Sequence, residues 1–260
     1  MGATAVVGDV LIIISRGGGA FLSRWAHVVV GITWIGLLYY FNFVQVPAFA
    51  EMEPAARNNA MDKLTWRALW WFRWSAVLTV LTGLSILVFE NNGQSKLVSG
   101  DFWKSPEGVA ITTGILLALI MFANVWGVIW RKQQIVIANA RNVQAGGDAD
   151  PAAAPAARLG AMASRQNTIF SFAMLLFMVG SFHYFSGGQF DTFSSGSDRG
   201  VYYLIAVVIA GVLELNALGI IGGTGPGGTN WIYDSHKNAL ITGGVLVVLY
   251  YLAYYVMFKV

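Results

Sequence analysis

Six apolar stretches run along the chain, near Leu22–Pro47, Trp70–Glu90, Gly108–Trp130, Asn167–Phe185, Val201–Gly222 and Lys237–Phe258. Each approaches the roughly 20 residues that cover the hydrocarbon core of a bilayer as an α-helix. The pattern predicts an all-α fold: a polytopic bundle of about six transmembrane helices forming one membrane domain over residues 1–260. Aromatic residues such as Tyr39, Tyr40, Trp70, Trp71, Trp74, Trp126, Trp130, Tyr202, Tyr203, Tyr250 and Tyr254 mark the ends of these stretches, where interfacial side chains belong. Polar segments separate them: Glu51–Arg67, a short Asn91–Glu107 loop, and a longer loop from Arg131 to Arg165. The centre of that longer loop, Gly146–Ala157, is a Pro/Ala/Gly/Asp tract without apolar periodicity, which predicts a flexible linker. The first fifteen residues are apolar but carry Asp9 and lack a basic start. They predict a short interfacial or extracytoplasmic segment rather than a cleaved signal peptide.

Composition supports the same class. Hydrophobic residues make up 56% of the chain and charged residues 11%, against about 25% charged in a soluble domain. The net charge of +3 and pI near 9.2 come from basic residues spread over loops and helix ends. No basic stripe interleaved with aromatics exists, so lipid headgroups and topology explain the charge and nucleic acid does not. Arg57, Lys63, Arg67, Arg73, Arg131, Lys132, Arg141, Arg158, Arg165 and Lys237 fall on one side of the predicted bundle. Their excess predicts that side to be cytoplasmic and both termini to lie outside, as in a multi-pass protein of a bacterial inner membrane. There is no cysteine, which excludes disulfides, thiolate metal sites, iron–sulfur clusters and covalently attached c-type haem.

Soluble-type catalytic motifs are missing. Gly223-Thr-Gly225-Pro-Gly-Gly228 matches G-x-G-x-x-G, but it follows an apolar helix and carries Pro226, where a dinucleotide fingerprint needs a strand before and a helix after. It predicts a flexible loop. Any chemistry then rests on the intramembrane ionisable groups, which are functional by default. His27 lies about a turn inside the first span and His183 near the end of the fourth. With alternating span directions both fall at one depth in the outer leaflet. Gly31, four residues after His27, and Gly180, three before His183, leave a small residue on the same helix face as each imidazole. Two facing imidazoles beside small residues suit the iron of a b-type haem; a membrane histidine beside glycine is also often a hydrogen bond across a close helix crossing. His236 follows Asp234 and Ser235, either of which can cap the last helix, and is expected at a helix end. Glu214 is placed near the middle of the fifth span, for a proton-linked or structural role, with Arg73 as a possible partner. Asn42, Gln45 and Asn124 are expected to make interhelical hydrogen bonds.

Three segments resemble a known family. Arg24-Trp-Ala-His27-Val-Val-Val-Gly31-Ile-Thr-Trp34-Ile-Gly36 is similar to the opening helix of the urate oxidase N-terminal family, the membrane domain of bacterial urate hydroxylase. Asn124-Val-Trp126-Gly-Val-Ile-Trp130-Arg-Lys-Gln133 resembles that family's N-x-W-x-x-I-W run. Asn167-Thr168, the apolar run through Met174 and Met178, and His183-Tyr184 resemble its segment ending in N-H-Y. The chain departs from the full-length pattern in having no cytochrome c domain within its 260 residues, and in carrying Ser164-Arg165-Gln166-Asn167 where the family has a histidine-containing stretch. The resemblance implies a membrane redox setting and directs attention to His27 and His183.

Three functions follow as expectations. One is a redox-associated subunit holding haem b and exchanging electrons with a quinone or cytochrome. Another is a non-catalytic accessory subunit of a larger energy-transducing membrane complex, packed against other membrane subunits. The third is a urate-oxidising enzyme that uses a separate cytochrome. A transporter ranks last, because no broken helices recur in repeated halves.

Overall fold

The computed structural model describes residues 17–89, 95–190 and 195–259. The segment expected at the interface, residues 1–15, lies outside the described residues. Six long helices form the bundle: α1 (Gly19–Glu51), α2 (Pro54–Phe89), α3 (Pro106–Gln144), α4 (Ala153–His183), α5 (Gly196–Ala217) and α6 (His236–Phe258). All except α4 are long and apolar enough to cross a membrane. Their outward faces carry exposed side chains such as Leu78, Leu81, Val208, Val212, Val245 and Val248, as lipid contact requires.

The exception is the bundle's axis. Helix α4 buries sixteen of its 31 residues, among them Gln166, Asn167, Thr168 and Ser171 at 0% exposure. Those polar residues lower its hydropathy, yet they face other helices rather than lipid. Helices α3 and α6 flank α4, α1 lies along α2, and α5 fits between α3, α4 and α6.

Helix ends follow local chemistry. Pro54 and Pro106 open α2 and α3, where a missing N–H costs nothing. The hydroxyls of Ser105, Ser195 and Ser235 accept from Gly108, Asp198 and Asn238 N–H, each at 3.1 Å, and cap α3, α5 and α6. Helix α5 stops at Ala217, five residues short of the predicted end, because the chain turns through Gly219 at φ +73°.

Two predicted loops shrink for a common reason. Hydropathy reports the crossing segment, whereas α1, α2 and α3 run 33, 36 and 39 residues, well beyond the roughly 20 a bilayer needs. The polar segment Glu51–Arg67 is therefore mostly the first turns of α2, and Arg131–Arg165 is mostly helix. The expected linker at 146–157 is correspondingly compact. Residues 153–157 already belong to α4, with Pro155 tolerated in its first turn. The remainder is tied down: Asn142 donates to Asp148 O at 2.6 Å, Asp150 N–H donates to Asn139 Oδ1 at 2.7 Å, and Ala152 N–H to Asp150 Oδ1 at 2.8 Å.

The two ends of the bundle differ. At the basic end, where α1 meets α2, α3 meets α4 and α5 meets α6, each of the first three helices contains a π-helical turn: Tyr40–Gln45, Met61–Thr65 and Val125–Ile129. The opposite end is an aromatic cluster. Phe185 stacks on Phe177 at 5.2 Å and lies 4.5 Å from Tyr254. Tyr202, Tyr250 and Tyr254 tie it together by hydroxyl bonds to Thr113 Oγ1, Ala206 O and Pro106 O.

Candidate functional site

His27 sits where α1 crosses α2. Its Nδ1 lies 3.0 Å from Thr79 O and 3.1 Å from Thr82 Oγ1. A carbonyl oxygen only accepts, and the Thr82 hydroxyl already donates to Leu78 O at 2.7 Å. Nδ1 therefore carries the proton and donates to both, which leaves Nε2 as the bare nitrogen. Nε2 makes no hydrogen bond among the described residues. Gly83 explains how the ring gets so close to α2: a Cβ there would lie 3.1 Å from His27 Cε1. Along α1, no atom beyond the helix's own adjoining residues and backbone lies within 4 Å of where a Gly31 Cβ would be, so the face beside the imidazole is open.

The other half of the expected pair is built differently. His183 is the last residue of α4, exposed, with its ring 5.2 Å from Phe182. It lies at the same end as His27, since the Arg24 guanidinium stands 4.8 Å over the Phe182 ring. Gly180 does not open a flat face. A Cβ there would meet Phe185 Cε2 at 2.8 Å, because the chain after α4 folds back and drops Phe185 onto it. The amides of Tyr184 and Phe185 both donate to Gly180 O at 2.8 Å and hold that turn. Among the described residues no group of three or more His, Asp or Glu side chains converges as for a metal ion.

Glu214 is not mid-span. With α5 ending at Ala217, it occupies the last turn, half-buried, at the basic end. Its Oε2 accepts from Asn124 Nδ2 at 3.0 Å, and the same amide donates to Asn167 Oδ1 at 3.0 Å. Asn167 in turn donates to Met121 O at 2.9 Å. Arg73 is not its partner: that guanidinium lies over the rings of Trp130 at 3.4 Å and Trp126 at 5.2 Å.

Nearby, the buried Tyr233 hydroxyl lies 2.7 Å from Gln166 Oε1 and 2.8 Å from Leu213 O. Asn42 of α1 donates to Ser164 Oγ of α4 at 2.8 Å. A polar junction thus joins α1, α3, α4 and α5 around the start of the α4 apolar run. Among the described residues Gln45 bonds to no other helix, and its Oε1 is buried without a partner. The sequence signal for this junction was the run Gln166-Asn167-Thr168, three polar residues opening an apolar stretch, which hydropathy averages away.

Behind the junction, the glycine loop after α5 is knitted rather than loose. Asn230 Nδ2 faces the carbonyls of Gly222, Gly223 and Gly225 at 3.2, 3.1 and 2.9 Å. Arg158 Nε donates to Thr224 O at 2.9 Å, and Asp234 accepts from Gly227 N–H at 2.8 Å and from Arg158 Nη2 at 2.7 Å. Partial burial is the largest single influence on the Asp234 carboxyl and pushes it upward. The Gly227 N–H and the Arg158 and Arg165 charges together outweigh it and hold the group below its ordinary value. His236 stands at the start of α6, beside Phe43 at 6.3 Å, and Ser235 rather than Asp234 provides the cap.

No family, characterised protein or solved structure matches this chain.

Proposed function

We propose that this chain is a redox-associated membrane subunit in which His27 offers Nε2 as an axial ligand to a b-type haem. The observation that carries this reading is the pair of contacts at His27 Nδ1, which assigns the proton to that nitrogen. The Nδ1–H is committed to the Thr79 carbonyl and the Thr82 hydroxyl, so Nε2 keeps a free lone pair for a ligand. Metal-binding imidazoles carry this outer hydrogen bond, which orients the ring and raises the basicity of the ligating nitrogen. The open face at Gly31 fits a flat macrocycle; the filled face at Gly180 does not. The His27 side is therefore the built one, and exposed His183 is the second ligand of the proposal. A haem bound there supplies one-electron transfer, with a quinone or a separate cytochrome as partner. The Lys/Arg bias supports a cytoplasmic basic end and hence a site toward the outer face of a bacterial inner membrane.

The same contacts also favour a second reading. An imidazole bonded across a crossing and seated on Gly83 clamps α1 to α2, which is sufficient for a non-catalytic accessory subunit. A reduced-minus-oxidised visible spectrum of the purified protein decides between them. The haem reading expects an α-band that vanishes in His27→Ala while the helical far-UV spectrum persists. A wild-type preparation from haem-replete cells with no such band overturns it and leaves the clamp. Reduction of added cytochrome c by urate would extend the first reading to a urate-oxidising enzyme.

A further inference from the structure

At the basic end, α2 and the last turns of α3 enclose an open groove of about 410 Å³ lined by Asp62, Lys63, Trp66, Arg67, Trp70 and Arg141. The π-helical turn Met61–Thr65 sets Asp62 and Lys63 at its rim. Asp62 pairs with Lys63 at 2.6 Å and with Arg141, and so organises two cations with one carboxylate. Arg141 also stands 5.0 Å over the Trp66 ring. Arg67 spends one N–H on Lys63 O at 2.6 Å, which leaves the rest of its fork for a ligand. Three cations against one anion give the groove a net charge of +2. Charge alone would suit any soluble anion.

The helix below the groove narrows the choice. Trp66, Trp70 and Trp74 follow at four-residue spacing on one face of α2. That face, widened by Trp71, continues through Leu78 and Leu81, all of them exposed. The cationic groove therefore passes without a break into an apolar stripe that enters the bilayer region. A ligand matching both parts has an anionic head and an acyl chain.

We infer that this groove is a binding site for an anionic phospholipid. Its phosphate lies among Arg67, Lys63 and Arg141, and its chain runs down the tryptophan–leucine face of α2. Basic clusters at the cytoplasmic ends of membrane helices hold acidic headgroups through the same forces.

Native mass spectrometry of the intact protein, released from micelles with defined phosphatidylglycerol and phosphatidylcholine, tests the inference. The wild type should retain one phosphatidylglycerol in preference to phosphatidylcholine. Arg67→Gln should weaken that preference about fivefold, and Arg67→Gln/Arg141→Gln about thirtyfold, the equivalent of about 2 kcal/mol. Arg57→Gln, at the same end but outside the groove, should leave it unchanged. Because Arg67→Gln keeps the Asp62–Arg141 pair, it remains informative if the double variant does not fold. Equal retention of the two lipids, or a preference untouched by Arg67→Gln, overturns the proposal. Displacement by millimolar glycerophosphoglycerol or inorganic phosphate as effectively as by the lipid would show a soluble-anion site and overturn it too.

Discussion

Replacing Asn124 by leucine removes an amide that joins α3 to both α4 and α5. Its Nδ2 has two hydrogens, one for Asn167 Oδ1 and one for Glu214 Oε2, each at 3.0 Å. Leucine fills a similar volume, so the loss is mainly polar. A side-chain hydrogen bond between membrane helices contributes about 0.6 kcal/mol on average and up to about 1.7. Two such bonds put the expected cost of Asn124→Leu at about 1–3 kcal/mol. Glu214→Gln keeps an acceptor in place and should cost less than about 0.6 kcal/mol. Glu214→Leu breaks one bond but also removes a carboxylate from the membrane region, so it should fall between the two. The Asn124→Leu/Glu214→Leu double variant should then be more stable than the sum of the singles predicts, by about 0.6–1.7 kcal/mol. Reversible unfolding in mixed micelles titrated with sodium dodecyl sulfate, followed by far-UV circular dichroism, measures all four. A wild-type midpoint for Asn124→Leu, or additivity of the two leucine variants within about 0.3 kcal/mol, would refute the reasoning.

Three further outcomes follow from particular contacts. Gly180→Ala places a Cβ 2.8 Å from Phe185. Overpacking of about 1–3 kcal/mol, less about 1 for helix propensity, predicts a net loss of about 0–2 kcal/mol, which should shrink when Gly180→Ala is made in a Phe185→Leu background, read from the same unfolding midpoints. Asn230→Asp substitutes an acceptor for the amide facing three carbonyls; it should cost about 1–3 kcal/mol or more and expose the Gly222–Gly228 loop to limited proteolysis, and unchanged cleavage would contradict the assignment. Because the Asp234 carboxyl is held below its unfolded value, its contribution is complete above that value, near 3.9, and is lost as pH falls through the lower folded one. Asp234→Asn should flatten that acid-side loss in melts recorded across this window, and an unaltered slope would assign it to other groups.

The sequence by itself determined what depends on local composition. Long apolar runs must become helices in a bilayer, because no other open structure satisfies its backbone there, and among the described residues each of the six predicted stretches is mostly helical, with the fourth and fifth running past the ends of α4 and α5. A cap before the last helix, from Asp234 or Ser235, was legible for the same reason, since a cap involves only the next three residues. His236 at a helix end followed from that signal. The helix lengths did not, because hydropathy falls off where the chain leaves lipid although the hydrogen-bonded helix continues.

Only the tertiary structure decided which neighbours each polar group meets. It gave the free nitrogen of His27 its identity through Thr79, filled the space at Gly180 with Phe185, and moved Glu214 to the last turn of α5 beside Asn124. It also made α4, the least apolar of the six, the axis of the bundle, with its amides turned toward other helices. Spacing along one helix fixes which side chains share a face. Which helix that face meets depends on packing among all six, and burial and hydrogen bonding are set there.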